Sequence, residues 1–287
     1  MTARTAGRGR PSASDRRRAR ARRRNTRSDL GSRVLIAIPA IALAIFLIAE
    51  GGLIFAAGVI VLGLICSHEL FRMYARAHPA RLAGFVGIIG LGLAAHHGDQ
   101  ATVLLAFVAS IPVVFGICVV QRPRGGAAGI AVTMLALAWI GLGLAHAIML
   151  RGLQHGDGII IDVLVGTFAG DTGAYLGGRM FGATPMAPTI SPNKTTEGLG
   201  IGFIVGVAAV WFAGLYQNWL SGVDALALGV AVCAAAPVGD LFESYLKREA
   251  GTKDTGTLFG AHGGALDRLD ALLFSVVMGF YVWQAML

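Results

Sequence analysis

The stretch ATVLLAFVASIPVVFGICVV, residues 101–120, contains no charged side chain. About 20 consecutive apolar residues let a helix cross the roughly 30 Å hydrocarbon core of a bilayer. The whole chain has a similar character, because 55% of its 287 residues are hydrophobic and 14% are charged, against about 25% charged in soluble domains. This composition excludes an ordinary soluble domain and predicts an all-α fold, a polytopic transmembrane helical bundle.

Further apolar segments lie on both sides of this stretch and are separated by short polar breaks, so the chain is predicted to form one membrane domain. Together they indicate about nine helices. Besides residues 101–120, we expect helices near residues 34–49, 52–70, 82–95, 128–149, 158–176, 199–217, 223–240 and 266–285.

Residues 1–33 contain twelve arginines, two acidic residues and almost no large apolar side chains. Such a segment cannot bury enough surface to offset its ordering entropy, so we predict a disordered, Arg-rich cytoplasmic tail. The arginines are typical of a topology anchor beside anionic lipid. Nucleic-acid binding is the alternative. We predict no nucleic-acid partner, because no aromatic residues are interleaved with the arginines.

Positive charge is distributed unequally between the two sides of the predicted bundle. With the N-terminus in the cytoplasm, every Lys and Arg except Arg151 falls on the cytoplasmic side, as the positive-inside rule requires. The same arrangement places the connections that contain Arg179–Lys194 and Lys247–Gly264 in the cytoplasm. On the other side, His96-His97-Gly98-Asp99 is predicted to be a solvated turn rather than a metal site.

Acidic residues are nearly absent from the N-terminal transmembrane helices, residues 34–150, but recur in the C-terminal transmembrane region, residues 151–287. Ionised groups at membrane depth cost about 2.5–3.5 kcal/mol even on lenient scales, so they are functional candidates. The alternative is a set of internal ion pairs with Arg179, Arg248 and Arg268. The candidates are Asp162, Asp171, Asp240, Glu243, Asp267 and Asp270. In the N-terminal half, His68 and Glu69 are expected to cap or pack at the membrane interface.

The spacing of the later candidates indicates a shared site. Asp240, Glu243, Ser244 and Lys247 recur at helical intervals and form one polar stripe, and Asp267 and Asp270 also share a helix face. Clustered carboxylates repel one another unless a cation holds them. Hard oxygen ligands favour Mg²⁺, which binds one or two carboxylates together with substrate phosphates.

The connection between the last two helices has the composition of a phosphate-binding loop. It contains Lys247, Arg248, Lys253 and Asp254, and then Phe259-Gly260-Ala261-His262-Gly263-Gly264. Its glycines let the backbone approach a ligand, and it leads into a helix N-terminus, which is a natural anion site. These groups, with a carboxylate-bound Mg²⁺, are those that phosphoryl or nucleotidyl transfer needs. A second polar segment runs from Asp171 to Arg179 and resumes at Ser191-Pro192-Asn193-Lys194.

The residues from Ser244 to Asp270 resemble the signature of the phosphatidate cytidylyltransferase family. The resemblance is carried by Ser244-Tyr245-Leu246-Lys247-Arg248, Lys253-Asp254, Phe259-Gly260-Ala261-His262-Gly263-Gly264 and Asp267-Arg268-Leu269-Asp270. The Asp171 and Ser191 segments and Gly239-Asp240-Leu241-Phe242-Glu243-Ser244 are similar to the same family. The resemblance covers about residues 160–285.

The resemblance implies a bacterial-type inner (plasma) membrane enzyme that makes CDP-diacylglycerol and pyrophosphate from CTP and phosphatidic acid. It further implies Mg²⁺, a second cation and a homodimer among membrane lipids. Asp240 and Asp267 are the expected metal ligands, with Asp270 next. Lys247, Arg248, Lys253 and Arg268 are expected to hold phosphates, and His262 either orients a phosphate or packs the loop. Asp254, Gly263, Gly264, Ser191, Lys194 and Asp171 complete the expected substrate site.

Three alternatives stay open at this point. A transporter also carries carboxylates in its helices, but it would be expected to show repeats, and the two halves of this chain are not similar. A transferase that consumes CDP-lipids has a different aspartate spacing, which is absent here. The sequence does not exclude a cytidylyltransferase for another lipid, because contacts to acyl chains are apolar and unspecific.

Overall fold

The computed structural model describes residues 38–121, 126–256 and 263–287, and all statements on structure refer to these residues. The predicted tail, residues 1–33, lies outside them. The chain divides after Phe46 into two units. The described part of the first unit is the beginning of helix α1, and the second, Leu47–Leu287, holds all the remaining elements. The boundary at residue 150, predicted between the N-terminal and C-terminal transmembrane regions, therefore lies inside the second unit.

Nine continuous helical segments occur in the described residues, as the sequence predicts. Helices α5 and α6 form one of these segments, because the π-helical turn Ala136–Gly141 joins them. The helices are α1 Ile38–Glu50, α2 Gly52–Met73, α3 Arg81–His97, α4 Gln100–Gln121, α5 Gly126–Leu135, α6 Leu142–Gly152, α7 Gly156–Phe181, α8 Thr196–Gly214, α9 Gly222–Glu249 and α10 Leu266–Met286.

The protein is a multi-pass membrane protein. Seven of the helical segments in the described residues are long and apolar enough to cross a bilayer, whereas α1 and α3 are shorter. Helix α4 exposes large apolar side chains such as Leu105 (67% exposed) and Val120 (82%). Such a surface is stable against lipid, where the helix satisfies its own backbone groups and the side chains need no polar partner.

The helix ends gather at two opposite ends of the bundle. At one end, Tyr74 after α2 donates a hydrogen bond to the Leu246 carbonyl of α9 (3.1 Å). At the other end, Trp283 near the end of α10 donates to the carbonyl of Gln154 between α6 and α7 (2.8 Å). The two contacts lie at the two ends to which the distribution of Lys and Arg assigns the cytoplasmic and the non-cytoplasmic connections. The assignment of the first end to the cytoplasm stays a prediction.

Small residues let the helices around the polar segments pack with their backbones in contact. A Cβ atom on Gly202 of α8 would lie 2.6 Å from the Gly170 carbonyl oxygen of α7. Similarly, a Cβ on Gly239 of α9 would lie 2.3 Å from the Asp270 carbonyl oxygen of α10. Close packing through small residues is the usual way in which helices associate in lipid. It brings α7, α8, α9 and α10 together at the end that carries the polar residues.

The structure differs from the prediction where polar sequence follows apolar sequence. Helix α9 continues to Glu249 and α7 to Phe181, beyond the predicted ends at residues 240 and 176. In α9, the polar side chain of Lys247 pairs with Glu243 and Asp267, so the helix does not need to stop at the first charge. A short antiparallel hairpin, strands β1 Pro185–Ala187 and β2 Ser191–Thr195, was not predicted, because these residues show no apolar alternation.

Two polar residues at the far end have structural roles. Arg151, the exception to the charge asymmetry, donates from Nε to the Ile48 carbonyl at the end of α1 (2.7 Å). Cations stabilise helix C-termini, where carbonyl groups lack intrahelical partners. Asp99 accepts hydrogen bonds from the backbone and hydroxyl of Thr102 at the start of α4, and these lower its pKa. The predicted solvated turn is therefore a helix cap.

Candidate active site

Polar side chains from four helices and the hairpin meet at one end of the bundle, where α9 ends and α10 begins. They form two adjacent groups. The Lys247 cluster consists of Glu69, Glu243, Lys247, Thr255 and Asp267. The Lys194 cluster consists of Asp171, Lys194, Asp240 and Asp270.

In the Lys247 cluster, one ammonium group joins two helices. Lys247 Nζ lies 2.5 Å from Glu243 Oε2 on the same helix and 2.9 Å from Asp267 Oδ1 on α10. The side chain of Glu243 is fully buried and that of Lys247 is 15% exposed. Buried charges are tolerated when they are paired and hydrogen-bonded. The polar stripe predicted on α9 is thus present and faces α10.

Asp267 also caps the helix that carries it. Its Oδ2 atom accepts hydrogen bonds from the Gly264 backbone (2.7 Å), the Thr255 backbone (3.0 Å) and the Thr255 hydroxyl (2.9 Å). A carboxylate at a helix N-terminus satisfies unpaired N–H groups and interacts favourably with the helix dipole. The Gly264 N–H, predicted to contact substrate, is therefore already paired. Gly263 has a positive φ of 83°, and a Cβ there would lie 2.6 Å from Asp267 Oδ2.

The Lys194 cluster combines one lysine from the hairpin with one carboxylate from each of three helices. Lys194 of β2 forms an ion pair with Asp240 of α9. Asp171 of α7 and Asp270 of α10 both interact electrostatically with Asp240. The family resemblance implied Asp171 and Lys194 as further residues of the substrate site, and the structure places both near Asp240. One ammonium group neutralises at most one of these three carboxylate charges when all three are ionised.

The two clusters meet at Glu243 and Asp270, whose carboxyl groups interact electrostatically. The second oxygen of Glu243, Oε1, is buried and accepts no hydrogen bond from a donor in the described residues. A chain of carboxylates therefore runs from Asp171 to Asp267. Asp162 does not join it, because it is buried near the opposite end of α7, where Gln217 Nε2 donates to it (2.9 Å).

No three His, Cys, Asp or Glu side chains converge on one point as a metal site within the part of the chain that the structure describes. Asp240 and Asp267, the expected metal ligands, belong to different clusters. Both oxygens of Asp267 already accept hydrogen bonds, from Lys247, Thr255 and Gly264. Asp240 and Asp270 are neighbours with hard oxygen donors, and this pair is of the type that Mg²⁺ binds together with substrate phosphates.

The remaining predicted site residues lie around these clusters or outside the description. Arg248 is exposed, and its Nε donates to the Ile190 carbonyl between the two strands (3.0 Å), so it helps to hold the hairpin on α9. Lys253 and Asp254 are exposed in the connection, Arg268 is exposed on the first turn of α10, and Ser191 begins β2. His262 lies outside the described residues.

Glu69 of α2 is a member of the site that sequence reasoning did not assign to it. Its Oε1 accepts from the Ala265 backbone (3.0 Å) and its Oε2 from the Leu266 backbone (2.9 Å). The expected capping role is confirmed, but the helix that Glu69 caps is α10, almost 200 residues further along the chain. A glutamate near the end of an apolar helix was the available signal, and the sequence did not indicate its target.

The fold and the site together define a multi-pass membrane protein with a carboxylate- and lysine-rich centre at one end of its helical bundle. The sequence profile of the cytidylyltransferase family matches residues 31–286 of the chain. The chain therefore belongs to the cytidylyltransferase family.

Named relatives agree with this assignment. The chain is 32% identical over 253 residues to a phosphatidate cytidylyltransferase of Staphylococcus aureus, covering 84% of this chain and 94% of the relative. It is 33% identical over 175 residues to that of Mycobacterium bovis (57% of this chain, 56% of the relative). It is 46% identical over 120 residues to that of Helicobacter pylori (41% and 44%). The chain thus spans about half the length of the mycobacterial and Helicobacter relatives it matches.

Proposed function

We propose that this protein is a phosphatidate cytidylyltransferase that makes CDP-diacylglycerol from CTP and phosphatidic acid. The observation that carries the proposal is the connected pair of clusters, in which Asp171, Lys194, Asp240, Lys247 and Asp270 from separate parts of the sequence meet. The match to a Staphylococcus aureus relative of that name over 94% of its length supports the same activity.

In the proposed reaction, a phosphate oxygen of phosphatidic acid attacks the α-phosphorus of CTP. One P–O bond forms, the bond between the α-phosphorus and the bridging oxygen breaks, and that electron pair leaves on pyrophosphate. No nucleophile from the protein is required, because the lipid phosphate is already an anion. Catalysis then depends on positioning and on stabilising negative charge.

The described residues include groups that can position the substrates and groups that can stabilise negative charge. Lys194 and Lys247 bind carboxylates in this structure, and we propose that they exchange part of these contacts for substrate phosphates. Arg248, Lys253 and Arg268 are exposed beside the clusters and can attract the triphosphate before it binds. Asp254, Ser191 and the glycines of the loop complete the proposed substrate site.

The proposed Mg²⁺ ligands are Asp240 and its neighbour Asp270, with Asp267 as the third candidate. A bound Mg²⁺ would supply charge neutralisation for the triphosphate and for the leaving pyrophosphate. The unpartnered Glu243 Oε1 beside Asp270 fits a second cation. Asp267 can bind metal if it releases one of its present donors, which are Lys247, Thr255 and Gly264.

We also propose that the enzyme lies in a bacterial-type inner (plasma) membrane, with this site facing the cytoplasm. The arginine-rich N-terminal sequence and the basic connections at this end support that orientation. A homodimer is the assembly that the family resemblance implies, and we retain it as a proposal.

The activity is tested by incubating purified protein in detergent with labelled CTP, Mg²⁺ and phosphatidic acid. The proposal expects label in a lipid that contains the cytidine monophosphate group, together with one pyrophosphate per lipid. Diacylglycerol and lysophosphatidic acid serve as alternative acceptors, and label on either of these instead would assign a different lipid. Absence of any nucleotidyl transfer, with CTP binding intact, would favour a transporter.

A further inference from the structure

We infer that Glu69 is a positioning residue of this site, which holds Thr255 and the first turn of α10 so that the carboxylates on α10 keep their places. The inference rests on the proposed function, because it assigns Glu69 a role in that reaction. Glu69 lies in the N-terminal half, which carries none of the signature residues, and its side chain reaches the centre from α2.

The carboxylate of Glu69 is buried and fully engaged. The residue is 5% exposed. It accepts hydrogen bonds from Ala265 (3.0 Å) and Leu266 (2.9 Å) at the start of α10. The Thr255 hydroxyl lies 2.9 Å from Asp267 Oδ2 and 3.3 Å from Glu69 Oε2, so its one proton is shared between the two carboxylates.

The loop closes directly on this carboxylate. A Cβ on Gly256 would lie 2.5 Å from Glu69 Oε1, and one on Gly264 would lie 2.3 Å from Oε2. Glycine at these two positions therefore lets the loop backbone reach Glu69. Gly256 and Gly264 therefore both contact a residue of α2, and the sequence around them does not indicate this partner.

Helix α2 also holds the other side of the connection between α9 and α10. Tyr74 donates to the Leu246 carbonyl (3.1 Å) and to Glu249 Oε2 (2.5 Å), near the end of α9. Burial raises the pKa of Tyr74, and the hydrogen bond with Glu249 raises it further. Tyr74 therefore remains a hydrogen-bond donor at neutral pH. With Glu69 at the start of α10, α2 fixes both ends of the connection.

A positioning role differs from a purely structural one in what its loss changes. If Glu69 sets the position of Asp267 and Asp270, its replacement alters charge placement in the site even in folded protein. If Glu69 contributes only stability, folded variants retain normal turnover. The two cases are separated by kcat per folded molecule and by the Mg²⁺ dependence of turnover.

The test compares Glu69→Gln with wild type, and with the matched control Glu50→Gln, which removes an exposed carboxylate at the other end of the bundle. Glutamine keeps the shape, but its amide group points a donor at a backbone donor. We expect kcat per folded molecule to fall about 10- to 100-fold. The half-saturating Mg²⁺ concentration should rise, the KM for phosphatidic acid should stay near the wild-type value, and Glu50→Gln should behave as wild type. Wild-type kcat and Mg²⁺ dependence in folded Glu69→Gln would overturn the inference.

A second pair of variants covers the case in which Glu69→Gln does not fold. Thr255→Val removes the bridging hydroxyl but leaves the Glu69 cap, and Thr255→Ser restores the hydroxyl. We expect Thr255→Val to lower kcat and raise the half-saturating Mg²⁺ concentration, and Thr255→Ser to rescue both. Equal turnover of Thr255→Val and wild type would contradict the inference.

Hydrogen exchange separates this inference from the proposed function, because it does not depend on turnover. In wild type, the amides of Ala265 and Leu266 should be protected from exchange. In Glu69→Gln these amides should exchange faster than in Glu50→Gln. In Thr255→Val the amides around residue 255 should exchange faster than in Glu50→Gln. An inactive wild type with this exchange pattern would refute the proposed reaction and keep the positioning role. Unchanged exchange in folded variants would refute the positioning role.

Discussion

Lys247 of α9 and Asp267 of α10 form an ion pair across the helix interface, with Nζ 2.9 Å from Oδ1. The same ammonium binds Glu243, whose side chain is fully buried. In the other cluster, Lys194 and Asp240 are more accessible, with side chains 25% and 32% exposed. Both lysines pair with carboxylates, but Lys247 is more buried than Lys194. Their substitution should therefore lower the stability of the protein by different amounts.

Replacement of each lysine by methionine tests this difference. Lys247→Met leaves Glu243 and Asp267 without their cation, and we expect a loss of about 3–5 kcal/mol in the free energy of unfolding. Lys194→Met breaks a more exposed pair and should cost under about 1 kcal/mol, while turnover falls because a phosphate contact is lost. Thermal melts and turnover on the same preparations check both values. Equal melting temperatures for the two variants would contradict the prediction that the more buried lysine contributes more to stability.

The contact between α9 and α10 gives a second prediction. In Gly239→Ala, the added Cβ would lie 2.3 Å from the Asp270 carbonyl oxygen. The helices must separate, so both the melting temperature and turnover should fall. Gly200→Ala is the matched control, because outside its own helix turn no atom of the described residues lies within 4 Å of the added Cβ. Alanine favours a helix over glycine by about 0.5–1 kcal/mol, so the control should melt at or above the wild-type temperature with normal turnover.

The outcome for Gly239→Ala decides whether the close contact matters to the site. A variant that melts normally and turns over at the wild-type rate would mean that α9 and α10 can separate without disturbing Asp240 and Asp270. Loss of stability in the Gly200→Ala control would mean that alanine is not tolerated for a reason other than this contact.

The orientation of the site is tested with single cysteines in a background that lacks Cys66, Cys118 and Cys233. Thr184 is exposed beside the hairpin, and Asp254 is exposed in the connection, whereas the neighbouring Thr255 is buried and unsuitable. Cysteines at Thr184 and Asp254 should resist an impermeant thiol reagent in intact cells and react in inside-out vesicles. A cysteine at Asn218, exposed at the other end, should show the opposite pattern. Labelling of a cysteine at position 184 or 254 in intact cells would contradict the proposed orientation.

The sequence predicts the helices well because lipid imposes a simple rule on them. A spanning helix must be long, apolar and internally hydrogen-bonded, and all nine predicted segments are helices in the described residues. The ends of α7 and α9 were placed too early, because charged residues such as Asp240 mark a membrane surface only when they face water. Here Asp240 is only partly exposed and forms an ion pair with Lys194, so α9 continues past it.

The members of the site were less predictable than the elements that carry them. Helical spacing predicted that Asp240, Glu243 and Lys247 share a face, since this depends only on local geometry. The pairing of Lys247 with Asp267, and the capping of α10 by Glu69, depend on how distant helices pack. These long-range contacts have no local pattern from which they could be predicted.

The most direct test of the account measures pyrophosphate release from CTP, with phosphatidic acid and Mg²⁺ present, for wild type and Asp240→Asn at known folded fraction. Asparagine keeps the volume and removes the charge. Because Asp240 is partly exposed and its ion pair costs little to lose, the variant should melt close to wild type. Turnover should fall by several orders of magnitude, since each loss of about 1.4 kcal/mol of transition-state stabilisation is tenfold. A variant that melts well below wild type but retains full turnover when folded would contradict the account, because Asp240 would then stabilise the fold and take no part in the reaction.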